Sequence, residues 1–158
     1  MSEEKAAVSR LEEEGDIAAD YLEGLLDIAD LDGDIEIGVE NERASLVVEG
    51  GELAHLVGRD GEVLDAIQEL TRLAVQTSTG ERSRLMLDID GYRADKKNAL
   101  TKLAEETADE VKAAGKPIKL APMNAFERKI IHDTIQKIGL TSESEGEDPD
   151  RCVVVMPA

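Results

Sequence analysis

Two short stretches hold residues whose types and spacing suit them to grip an anion. The first is Gly58-Arg59-Asp60-Gly61, between Leu56-Val57 and Glu62-Val63-Leu64. Two glycines leave the main chain open to close approach, because no Cβ stands in the way. A helix beginning at this turn would aim its unpaired N–H groups and positive dipole end at the same point. Arg59 adds one cationic donor, whereas the charge of Asp60 opposes a phosphate and should lower affinity. Alone, a Gly-x-x-Gly turn is most often only a loop. The second stretch is Arg128-Lys129-Ile130-Ile131-His132. At about 100° per residue, Arg128, His132 and Gln136 fall within about 80° of one another, beside an apolar face of isoleucines. Lys129 stands next to them. A guanidinium holds phosphate in two-pronged fashion, and a neighbouring imidazole can donate a further hydrogen bond. Taken alone, this pair too is more often an ordinary exposed helix face.

Other candidate chemistry is weak. Asp30-Leu31-Asp32-Gly33-Asp34 resembles the start of a calcium loop, but Ile35 stands where the turn glycine belongs and Asn41 where the closing glutamate belongs. No resident metal or other cofactor is expected. His55 precedes the glycine turn and reads as a packed or surface residue. Cys152, the one cysteine, sits in a valine-rich run and reads as a small buried apolar group. It excludes an intramolecular disulfide and a cysteine-built zinc site. There is no nucleophile–base pair, no phosphate-binding P-loop and no recognisable carboxylate dyad, so the chain reads as non-enzymatic.

The elements that must position these residues follow from hydrophobic period and turn chemistry. Helical spacing runs from Ala6 to about Ala29 (Leu11, Ala18, Leu22, Leu25, Leu26), with an acidic outer face. Ile35, Ile37 and Val39 alternate as a strand, and residues 44–48 form its hairpin partner. A short helix at 52–57 leads to the glycine turn and then to a longer helix ending near Thr77. In that helix Val63, Leu64, Ile67, Leu70, Leu73 and Ala74 are expected to face a core. Leu85, Leu87 and Ile89 alternate as a third strand, and Asp90-Gly91 is turn chemistry that suggests a domain boundary. A second long helix runs from about Tyr92 to Ala114, with Leu100, Leu103, Ala104, Ala108 and Val111 inward, stopped by Gly115 and Pro117. A short strand at 118–120 follows. Asn124, with Glu127 three positions later, then opens a helix that ends at Gly139. The acidic stretch 141–149 and the apolar strand 152–156 close the chain.

The expected class is α+β, in two small units at 1–90 and 91–158 with element orders α-β-β-α-α-β and α-β-α-β-β. A chain of 158 residues is long enough to bury a useful core. Three aromatics, Tyr21, Tyr92 and Phe126, nearly exclude base-stacking platforms. No apolar run nears the roughly 18 residues of a membrane span and no secretory signal is visible, so a cytoplasmic protein without membrane insertion is expected.

Net charge is −18, from 36 acids and 18 bases, which argues against nucleic acid as a ligand. The charge is uneven. Residues 1–50 carry 16 acids and 3 bases, residues 51–100 carry 9 and 7, residues 101–140 carry 6 and 7, and residues 141–158 carry 5 and 1. Both candidate motifs therefore lie in a nearly neutral middle. With screening over about 8 Å, contacts there depend on placed groups rather than on long-range attraction.

The glycine turn between two helices, in the order α-β-β-α-α-β, resembles a type II KH domain, which holds about four nucleotides of a single strand. Asp60 departs from the usual neutral or basic loop. The turn followed about 70 residues later by Arg-x-x-x-His resembles the bacterial Jag family, in which a KH domain precedes a domain named for that motif, the R-three-H domain. The segments Pro122–His132 and Ser142–Arg151 are similar to that family's sequence around the motif, and the resemblance covers roughly residues 15–156. It implies an RNA-binding protein that regulates cell elongation or division, or transcripts, and that partners a small single-KH protein. Carried over, Gly58, Arg59, Asp60 and Gly61 form the KH loop, and Arg128 and His132 form the pair that names the second domain; phosphate contacts are expected at both sites, with Lys129 counted among them for its position beside the pair. Single-stranded RNA is the expected ligand, with single-stranded DNA sharing the same phosphate chemistry. The alternative is an acidic adaptor that docks a basic protein and has vestigial RNA binding. Oligomeric state is not legible in the chain.

Overall fold

Helix α1, Glu3–Ile28, starts three residues before the apolar period because the Ser2 hydroxyl caps it, accepting from the Lys5 N–H at 3.2 Å. A computed structural model describes residues 2–158. After α1 come strands β1 (Asp34–Glu40) and β2 (Arg43–Glu49), helix α2 (Ala54–Val57), a single 3₁₀ turn at Arg59–Gly61, helix α3 (Glu62–Thr79) and strand β3 (Met86–Ile89). Helix α4 (Tyr92–Ala114), strand β4 (Ile118–Lys119), helix α5 (Ala125–Ile138) and strands β5 (Thr141–Glu145) and β6 (Cys152–Met156) complete the chain. The molecule is mixed α+β. It divides into two compact units, residues 1–93 and 94–158, each with its own sheet and core.

In the first unit β1 pairs antiparallel with β2, and β2 pairs parallel with β3. Ala44, Leu46 and Val48 of β2 and Leu87 and Ile89 of β3 alternate inward. They meet Ala18, Leu22 and Leu26 of α1 and Leu64, Ile67 and Val75 of α3. The inward face of α3 differs from the one its apolar spacing predicts. Leu64 and Ile67 are buried, but Val63, Leu70 and Leu73 are 37%, 49% and 56% exposed. Two polar residues take the inner positions instead. Gln68 Oε1 accepts the Leu87 N–H at 2.9 Å, and Thr71 donates to the Ile67 carbonyl at 2.7 Å. An otherwise orphaned strand amide is worth a buried side-chain acceptor, and that rotates the helix away from its most apolar face.

The second unit has the sheet order β4-β6-β5, with both pairings antiparallel. Val153 and Val155 of β6 face Leu100, Ala104, Ala108 and Val111 of α4 and Ile131 and Ile135 of α5. Thr107 takes an inner position on α4, its hydroxyl donating to the Leu103 carbonyl, and Leu103 is 36% exposed rather than inward. Among the described residues no helix is long and apolar enough to cross a membrane.

Candidate nucleic-acid interface

The glycine turn sits where the backbone must reverse between α2 and α3. Gly58 has φ 74° and ψ −174°, a region essentially closed to other residues, and Gly61 is left-handed at φ 77°. A Cβ at Gly58 would come within 2.4 Å of Val63 Cγ2, and one at Gly61 within 2.7 Å of the Tyr92 ring. Both glycines are therefore demanded by packing inside the first unit, apart from any approach by a ligand. Asp60 lies between them at φ 54°, which aspartate tolerates better than most residues. The side chains of Arg59, Asp60 and the preceding His55 are exposed. Helix α3 has Gly61 as its N-cap and no side-chain cap, but the 3₁₀ turn runs straight into it, and the Glu62 N–H already donates to the Arg59 carbonyl. Glu62 and Asp65 stand in that first turn and offset part of the dipole.

The second site is built on α5. Its N-terminus is fixed by a reciprocal capping box: the Glu127 N–H donates to Asn124 Oδ1 at 2.9 Å, and the Asn124 N–H donates to Glu127 Oε1 at 3.0 Å. Glu127 also pairs with Lys96 Nζ at 3.1 Å. Arg128 is 8% exposed rather than lying along an open polar stripe. Its guanidinium donates to the Met123 carbonyl and to Asp148 Oδ1 at 3.3 Å, holding the turn before α5 and the loop between β5 and β6. The position beside the isoleucine face is the rim of the core. An arginine there buries its stem and spends its donors on backbone.

His132, one turn on, is half-buried and contacts two hydroxyls. Nδ1 lies 2.6 Å from Ser142 Oγ and Nε2 lies 2.9 Å from Ser144 Oγ. Burial, reinforced by the guanidinium groups of Arg128 and then Arg151, pushes its pKa below 6.5, while Asp133 opposes the shift. Lys129 is exposed and reaches Asp133 Oδ2 at 3.2 Å. Arg151 donates to the Gly146 carbonyl at 2.8 Å, closing the β5–β6 loop. Sequence reasoning leaves Ser142, Ser144 and Arg151 out of the site. The available signal is a pair of small hydroxyl residues at i and i+2 in an otherwise acidic strand, which places both on one face. Among the described residues no cluster of His, Cys, Asp and Glu is placed to hold a metal ion.

Residues 98–157 match the R-three-H domain. The chain is 35% identical over 137 residues to the RNA-binding protein KhpB of Lactiplantibacillus plantarum, covering 86% of this chain and 42% of that protein. It is 33% identical over 143 residues to KhpB of Clostridium symbiosum, covering 89% and 64%. With KhpB of Bacillus subtilis it shares 31% over 138 residues, covering 85% and 66%. The chain thus spans less than two thirds of the length of each of these relatives. With an R-three-H domain at its C-terminal end and KhpB relatives along most of its length, the chain belongs to the Jag family.

Proposed function

We propose that this protein binds single-stranded RNA without catalysing a reaction on it, gripping the sugar-phosphate backbone at one place in each unit. The observation that carries the reading is the alignment of 85–89% of the chain with proteins named for RNA binding. In the first unit, read as a type II KH domain, the phosphate partners are the positive N-terminal end of α3 and Arg59, with the chain passing Gly58 and Gly61. In the second unit the corner around Lys129 and His132 supplies the contact. Arg128 serves that corner from beneath by fixing the loop that carries Asp148. Single-stranded DNA offers the same phosphates and competes to the extent that no 2′-hydroxyl is read. The Jag resemblance extends this reading to a cytoplasmic regulator of cell elongation or division, or of transcripts, working beside a small single-KH protein.

Binding of a labelled mixed-sequence RNA at two salt concentrations tests the reading. Affinity is expected to fall with salt at about 0.7 in log–log slope per phosphate contacted. Arg59→Asp and Lys129→Glu should each weaken binding and flatten the slope. No binding by the folded protein at low salt would overturn it. A second reading, an acidic adaptor for a basic protein, draws support from residues 1–93, which carry 24 acids and 8 bases, and from the exposed Val63, Leu70 and Leu73. Salt-sensitive capture of a basic protein, with no RNA binding, would favour it.

A further inference from the structure

Strand β5 alternates so that Thr141, Glu143 and Glu145 face solvent while Ser142 and Ser144 turn toward α5. His132 stands between the two serines with a ring nitrogen on each. A neutral imidazole has one N–H and one lone pair. One serine oxygen therefore accepts the ring N–H and keeps its own proton for a partner outside. The other serine spends its proton on the ring. When the ring is protonated both nitrogens donate, and both hydroxyl protons become available outward. The imidazole itself has no nitrogen left over for a ligand in either state, and Arg128 Nη1 is held by Met123 and Asp148.

The charged surroundings favour an anion on one side only. Arg128 and Arg151 both act on the imidazole, from α5 and from the residue that precedes β6. Asp133 acts against them from α5, but its carboxylate is engaged by Lys129. Asp148 is engaged by Arg128, and Glu143 and Glu145 lie on the opposite face of β5, Glu145 beside Lys119 of β4. An anion is thus accommodated at the serine face and repelled from the glutamate face.

We propose that Ser142 and Ser144 are phosphate-contacting residues of the second unit, and that His132 is a positioning residue that aims their hydroxyls. The inference rests on the RNA reading above and names the groups through which this unit makes its contact. Protonation of His132 adds a second outward donor and a positive charge, so RNA binding by this corner strengthens as pH falls.

The test is anisotropy with a labelled single-stranded RNA for the parent, Ser142→Ala, Ser144→Ala and the matching Ser→Thr variants, at about pH 7.5 and about pH 5.5. At the higher pH one alanine variant should bind about tenfold more weakly and the other nearly as well as the parent. At the lower pH both should lose affinity, and the threonine variants, which keep the hydroxyl, should track the parent. Alanine variants that match the parent at both pH values overturn the proposal. So do threonine variants as weak as alanine, which would indicate packing rather than donation. A second measurement needs no substitution. Bound RNA should raise the pKa of His132 in the parent, followed by NMR of the ring, because an anion at the hydroxyls favours the charged ring. An unshifted His132 with RNA bound overturns the proposal while leaving RNA binding intact. A parent that binds no RNA removes the RNA reading itself, and this inference with it.

Discussion

Arg128 Nη1 lies 3.3 Å from Asp148 Oδ1 and also donates to the Met123 carbonyl, so the first member of the Arg-x-x-x-His motif is committed inside the protein. Met123 in turn donates its N–H to the Arg151 carbonyl at 3.0 Å, and Arg151 closes its loop on Gly146. The arginine and the histidine four residues on therefore divide the work. Arg128 holds the frame of the corner, and His132 faces the polar surface of β5.

Replacing Arg128 should cost stability before it costs binding. Arg128→Ala leaves the Met123 carbonyl without its donor and empties a buried stem, a loss of about 1–3 kcal/mol. Asp148 is largely exposed and adds little. Arg128→Lys should recover only part, because its ammonium sits on a flexible stem and lacks the rigid guanidinium plane that carries Nη1 to both acceptors. Urea unfolding followed through the amides of Val153 and Val155 checks this within the second unit.

Substituting the turn glycines should destabilise the first unit, whatever they do for RNA. Gly58→Ala forces a non-glycine residue to φ 74° and drives its Cβ into Val63. The backbone strain alone is worth about 1–3 kcal/mol. Thermal melting should show the loss with no ligand present. A glycine-to-aspartate double variant would confuse unfolding with lost binding, and for that reason Arg59 is the better probe.

Asp60→Asn should raise RNA affinity several-fold, the order of one nearby unit charge in a screened, exposed setting. Asparagine tolerates the positive φ that Asp60 adopts, so the fold is kept. The gain should shrink as salt rises, which anisotropy at two ionic strengths reads directly.

The lowered pKa of His132 sets a sign for stability against pH. The unfolded chain binds the proton more readily than the folded one, so this histidine's contribution is whole above about pH 6.5. It falls as pH drops from there toward the lowered folded value, and levels off below it. Stability of the second unit should decline over that window in the parent and less steeply in His132→Gln, as measured by urea unfolding across the pH series.

Much of this is legible in the sequence, and the exceptions share a cause. The strand at Ile35, Ile37 and Val39, the helix opened by Asn124 with Glu127, and the stop at Gly139 follow from local pattern and capping chemistry, and all are present. The inner face of α3 escapes periodicity, which counts only apolar residues. The deciding partner of Gln68, the Leu87 amide, lies nineteen residues away and is invisible locally. The burial of Arg128 is hidden for a similar reason. A helical wheel puts it at the rim of the apolar face, but only the fold brings Met123 and Asp148 to it. Ser142 and Ser144 fall within a segment that resembles the family, yet nothing in one strand's sequence shows that a histidine ten residues before the first of them will stand between them.

The most direct measurement is an amide and imidazole NMR titration of the protein with a short single-stranded RNA. The account predicts shifts concentrated at residues 58–63 and around Lys129, His132, Ser142 and Ser144, all weakening with added salt. Shifts confined to the acidic face of α1, or none at either corner when RNA is in excess, would contradict it.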